Sequence, residues 1–219
     1  MLSLRHPVAR RVAAVTTGLA MAAGFLLVSS PADASAARHH HRSLAAVLTS
    51  DGNKFDHNSH DFDIVTQAVL AVLKAKPSSP VSVLTHGKTR VTAFVPTDQA
   101  FRALVFDLTG KWLKKEGKVF AVVASLGIDT VETVLLYHVI AGKTITAAKA
   151  LKADGAELTT AQGGTLTVDV LNPRSGRIRL QDQDPDDVDP TTIPRLLNIN
   201  KGNKQIAHGI NYVLRPVNL

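Results

Sequence analysis

Two clusters of charged side chains are the first places where this sequence could do chemistry. "DQDPDDVDP", residues 182–190, gathers five aspartates, and loops rich in carboxylate oxygen bind hard cations such as Ca²⁺. The EF-hand pattern is not met, because Asp187 stands at the sixth position, where Gly is needed, and Ile193 at the twelfth, where a bidentate Glu belongs. A solvated acidic loop is expected. "GKWLKKEGK", residues 110–118, has the opposite sign: Lys111, Lys114, Lys115 and Lys118 surround Trp112, the single tryptophan. Such a patch attracts phosphate or an acidic polymer, and an indole can stack on a base or a sugar ring. The plainer alternative is a solvated connection in which Trp112 covers the gap between two helices. If the segment does bind, Lys111, Trp112, Lys114 and Lys115 are its contacts, and the acidic run should make another face repulsive.

The histidines suggest less. His39, His40 and His41 lie between Arg38 and Arg42, and His57 and His60 are spaced i, i+3. Imidazole is a good transition-metal ligand, but these residues fall in a polar stretch with nothing rigid to fix a geometry, so no specific metal site is expected. Tyr137 and His138 close an apolar helical run, where a His more often hydrogen-bonds a backbone carbonyl than acts as a catalyst. The chain has no G-x-S-x-G, H-E-x-x-H, P-loop or dinucleotide glycine pattern, and it has no Cys. A non-enzymatic protein without cofactors is the expectation, although a Ser/His/Asp site assembled from distant residues leaves no mark in a sequence.

The elements that must position these residues start after a leader. Residues 1–34 have a basic start (Arg5, Arg10, Arg11), an uncharged apolar stretch from Val12 to Val28, and the small-x-small site Ala32-Asp33-Ala34. This is the three-part form of a secretory signal peptide, with cleavage expected after Ala34. "RRVAA" lacks the rest of a twin-arginine signal. No later segment is apolar enough to span a membrane, so a secreted, extracellular protein, free or held by a cell wall, is expected. Cleavage removes three Arg and one Asp, lowering the formal charge from +7 to about +5. Without cysteine the fold must rest on burial alone.

Residues 35–60, rich in Ala, Ser, His, Asn and Asp, read as a flexible N-terminal arm with "SLAAVLT" as its one apolar stretch. In "DFDIVTQAVLAVLKAK", Ile64, Val65, Ala68, Val69, Val72 and Leu73 share a helix face, and Pro77 and Pro80 end the run. "VTAFVPTDQAF" reads as a half-buried strand stopped by Pro96, then a helix capped by Thr97 with the negative charge of Asp98 in its first turn. That helix closes at Gly110, and two more are expected, one ending at Gly127 and one over "DTVETVLLYHV". From Ala156 the period becomes two: "ELTTAQGGTLTVDVL" turns at Gly163-Gly164, and "GRIRLQD" and "GINYVLRPV" supply further strands. Segregated helices and antiparallel strands predict an α+β fold.

"VTAFVPTDQAF", "LLYHVIAGKTI" and "HGINYVLRPVNL", with the hairpin "LTTAQGGTLTV" between the last two, resemble the ordered motifs of the fasciclin domain. The resemblance covers residues 61–219 and is nearest to the secreted bacterial members with one such domain. It implies a β-sandwich wedge with helices packed around it. It also implies a role in cell-surface or matrix adhesion and protein interaction. On this reading Pro96, Thr97 and Asp98 define the fold, Phe94 and Phe101 enter the core, and Tyr137 and His138 match a Tyr-His motif that some animal members use for receptor contact. The last motif departs from the family, with Tyr212 where His is common and Arg215 where Asp is common. The partner is expected to be a protein or an anionic surface polymer, not nucleic acid. The competing readings are an exported hydrolase of wall or matrix material and a carrier of a small apolar ligand.

Overall fold

Strand β1 (Val91–Pro96) is the hub of the fold. In the computed structural model, which describes residues 41–50, 52 and 54–218, β1 pairs antiparallel with β2 (Val139–Ala141) and parallel with β6 (Gln205–Ile210). The leader expected over residues 1–34 lies outside the described residues, as do His39 and His40. All six residues of β1 are buried, not half of them. With neighbours on both edges and apolar side chains on both faces, the strand has no side left for water. The parallel pairing also departs from the antiparallel expectation, since the two strands come from distant parts of the chain. The last strand is shifted: it ends at Ile210 instead of running through "GINYVLRPV". Ile210 stands opposite Pro96 in the ladder, and Pro has no N–H with which to extend it. Val213 and Leu214 remain in the core without belonging to a strand.

A second sheet holds β3 (Glu157–Thr159), β4 (Thr165–Asn172) and β5 (Arg177–Gln181), all antiparallel, with Gly163 at φ 107° in the β3–β4 turn. One apolar cluster takes Phe94, Ile140 and Ile210 from the first sheet and Leu166, Val168 and Leu180 from the second, so the two sheets enclose a shared core. Val91, Ala93 and Val95, the alternate residues of β1, face the helices instead. The molecule is therefore α+β, with helices on one side of a small sandwich.

Those helices are α1 (Leu44–Leu48), α2 (Asp63–Ala75), α3 (Asp98–Thr109), α4 (Glu116–Ser125) and α5 (Ile128–Tyr137), followed by the single turn α6 (Ala147–Ala150). Ile64, Val65, Ala68, Val69 and Val72 line the buried face of α2. Thr97 caps α3 by accepting from the Ala100 N–H, and Gly110 ends it in the left-handed conformation at φ 68°. No single described helix is long and apolar enough to cross a membrane.

Within the expected flexible arm, α1 is packed into the domain. Leu44 is completely buried and Leu48 nearly so. The Leu44 N–H donates to Gln205 Oε1 at 2.7 Å, and Gln205 Nε2 in turn donates to the carbonyls of Val83 and His86. A side chain at Gly87 would meet the His41 carbonyl oxygen at 1.7 Å, so the arm lies directly on the 86–88 turn. Two leucines at i, i+4 gave the short helix enough apolar surface to dock.

Candidate functional site

The connection between α3 and α4, residues 110–115, leaves Trp112 49% exposed against Phe106, itself 49% exposed near the end of α3. Their rings meet edge to face with centroids 5.7 Å apart. This pair lines a groove of about 470 Å³ together with Asp186 and Asp187 of the acidic loop, Tyr212 and Arg215. The acidic loop and Trp112 thus share one groove, which overturns the expectation of separate faces. Lys111, Lys114 and Lys115 are exposed and stand outside the lining. The aromatic pair and the lysines, adjacent in sequence, part company in space.

Arg215 is what draws the acidic loop inward. Its Nη2 lies 2.6 Å from Asp107, its Nε 3.1 Å from Asp187 and its Nη1 3.6 Å from Asp184, while its backbone N–H donates to Asp182 at 2.8 Å. The loop is therefore not simply solvated: Asp184 is 4% exposed. Burial pushes Asp182 up to about 6 and Asp187 up to about 7, the neighbouring aspartates adding to the effect while Arg215 opposes it at Asp187. The Arg215 guanidinium supplies Asp184 and Asp187 with the counter-charge that a hard cation would otherwise bring.

Tyr137 and His138 lie in the interior. Tyr137 is fully buried between the sheets, where its hydroxyl donates to the Thr165 carbonyl at 2.7 Å, and burial holds its phenol well above the ordinary range. His138 Nδ1 meets the Val134 carbonyl at 2.7 Å, and Nε2 accepts from the Leu214 N–H at 3.0 Å. One donated and one accepted bond define a neutral imidazole, and burial lowers its pKa to about 4. The contact role that the resemblance offered these two residues does not fit their burial. His138→Ala should instead cost about 1–3 kcal/mol by leaving the Leu214 N–H without an acceptor. Thermal melts check this, and an unchanged midpoint would remove the structural role.

At the opening corner, Asp98 does more than charge a helix start. Its Oδ1 accepts from the Ile64 N–H at 3.0 Å, tying the first turn of α2 to that of α3. Burial, with the carboxyls of Asp61 and Glu116 beside it, raises Asp98 well above the usual carboxylate range, so it is not the plain negative charge its position suggests. Phe94 and Phe101 are both buried. His57 and His60 are exposed, and among the described residues no histidine belongs to a metal-sized cluster.

Phe106 and Asp107 escaped the sequence reading, although Phe106 carries a signal: it falls off the apolar face set by Phe101, Leu104 and Val105. His208, also buried, was not singled out either; its Nε2 meets the Ile145 carbonyl at 2.8 Å and its Nδ1 accepts from the Asn198 N–H at 3.4 Å.

Comparison with known proteins agrees with this architecture. No curated protein sequence matches the chain. Among solved structures, it is similar to a FAS1 domain pair from the insect cell adhesion molecule Fasciclin I, with a TM-score of 0.53 and 17% identity. The match covers 80% of this chain and 51% of that one, so the chain spans about half the length of its structural relative. The fasciclin domain model matches residues 65–216, from the first turn of α2 past the final strand, and this chain belongs to the fasciclin domain family.

Proposed function

We propose that this chain is an exported, non-catalytic adhesion or interaction domain that meets a protein partner at the Phe106–Trp112 groove. The observation that carries the reading is the half-exposed aromatic pair walling a groove beside fixed charges. Aromatic side chains held at a surface are the usual anchors of protein contacts. Family membership supports an adhesion or interaction role in the broad sense. Asp186, which lines the groove outside the Arg215 ion pairs, favours a protein that presents basic and apolar side chains over an anionic polymer. The neutral, doubly hydrogen-bonded states of His138 and His208 support a non-catalytic reading, since neither ring has a nitrogen free to act as a base.

The test is capture of surface proteins from the producing cells by three forms of the chain. Trp112→Ala should weaken capture at least tenfold with little change in melting temperature, because the indole is half in water. A Lys111, Lys114, Lys115 triple Gln variant should capture as well as the native chain. Full capture by Trp112→Ala would remove the groove, and loss confined to the lysine variant would restore the polyanion reading.

One observation favours the carrier as a second reading. An apolar cleft of about 410 Å³ runs between β1 and the second sheet, walled by Phe94, Leu158 and Leu180, with Arg90, Lys143 and Lys149 also lining it. Its chemistry suits a small apolar molecule that ends in an acid.

A further inference from the structure

Three helices begin on acids that converge. Asp63 opens α2, Asp98 opens α3 and Glu116 opens α4, and they are 3%, 0% and 1% exposed. One carboxylate oxygen from each lies within 4.8 Å of the others. Asp56, Asp61 and Asp63 form a second set of the same size, so five acids share the region. Arg102 pairs with one of them, its Nη2 lying 2.9 Å from Glu116 Oε1.

Helix starts favour acids, because each N-terminus carries about half a positive charge. That accounts for each residue singly and not for the burial of all three together. It also leaves one atom unexplained. Oδ1 of Asp98 is satisfied by the Ile64 N–H, but no donor N–H reaches its buried Oδ2, and the carboxyl beside Asp98 is that of Asp61, another acid. A buried carboxyl oxygen that no donor reaches is costly unless a proton is held there or a cation supplies the missing charge.

We propose that Asp63, Asp98 and Glu116, with Asp61 at the edge, form a site for one hard divalent cation, Ca²⁺. The donor set is entirely carboxylate oxygen, which suits Ca²⁺ and lacks the nitrogen and sulfur that select zinc or copper. Calcium–oxygen distances are about 2.4 Å, so oxygens separated by up to twice that can face one another across a single ion. The bound ion clamps the starts of α2, α3 and α4. It also fixes the 54–62 segment, where the Asp56 N–H donates to Glu116 Oε2 at 2.6 Å and the carbonyls of Ser59 and Asp61 accept from the Gln99 and Asp98 N–H groups. The 182–189 loop differs because Arg215 already supplies its counter-charge.

The test is calorimetric titration of the EDTA-stripped, dialysed protein with CaCl2, together with thermal melts. One Ca²⁺ per chain is expected. At about 100 times the dissociation constant the midpoint should rise by roughly 5–10 °C. Asp63→Asn and Glu116→Gln should each weaken Ca²⁺ binding at least tenfold and lose most of that rise. Asp63→Asn removes one of several like charges, so it should still melt cooperatively in EDTA. Absence of both heat and midpoint shift in the native protein up to about 10 mM CaCl2, beyond the range of extracellular calcium modules, overturns the proposal whether or not the variants fold. An equal shift from KCl at matched ionic strength, or undiminished binding by both variants, overturns it as well.

Discussion

Arg215→Met should destabilise the domain by about 3–5 kcal/mol at pH 8 and by clearly less at pH 5. The methionine keeps much of the buried volume and removes the charge, so the loss reports on the ion pairs. At pH 8 it strands Asp184 and Asp187, whose side chains are 0% and 6% exposed, without their counter-charge. Acid should relieve the loss. A carboxyl whose pKa is higher in the folded state than in the unfolded state contributes stability at low pH, and that contribution is lost as pH rises through the folded value. With Arg215 present, Asp182 and Asp187 already sit at about 6 and about 7. Without it Asp187 rises further, so at pH 5 both are protonated and have little need of a cation. His138, at about 4 in the folded state, loses stability as pH falls below its ordinary value of 6.5. It does so equally in both proteins and cancels from their difference. Urea unfolding at the two pH values decides the matter: equal losses would make Arg215 a packing residue, and no loss would make the loop self-sufficient.

Leu44→Ala should cost about 2–5 kcal/mol, the range for truncating a fully buried leucine. Leu44 is 0% exposed and packs in the core cluster that holds α2 and β1, although it lies in the stretch that composition marks as an arm. A loosely docked arm would lose less than about 0.5 kcal/mol from the same change, as surface substitutions do. Urea unfolding separates the two outcomes. A loss of the larger size places the folded boundary before residue 44, well ahead of the Asp61 start that the change in apolar period suggests.

The corner "FVPTDQAF" was legible because its parts act over a few residues. Pro96 stops a strand for want of an N–H, Thr97 satisfies a donor three residues on, and Gly110 takes a conformation that a β-carbon disfavours. The groove was not legible. Trp112 and its lysines are neighbours in the chain, yet the fold puts the indole in one groove with the acidic loop and leaves the lysines outside the lining. Tyr137 and His138 read equally well as surface contacts or interior ties until their hydrogen bonds to Thr165, Val134 and Leu214 are seen.

By itself the sequence determined the helix faces, the caps and stops, the Gly163-Gly164 turn and the α+β class, because each depends on groups within about four residues of one another or on a simple period. Tertiary structure alone decided that β6 lies parallel beside β1, that Arg215 neutralises aspartates some thirty residues upstream, and that Asp63, Asp98 and Glu116 meet at three helix starts. Contacts of that kind form only when chain closure brings distant segments together, and whether a charge is buried or solvated is settled at that moment.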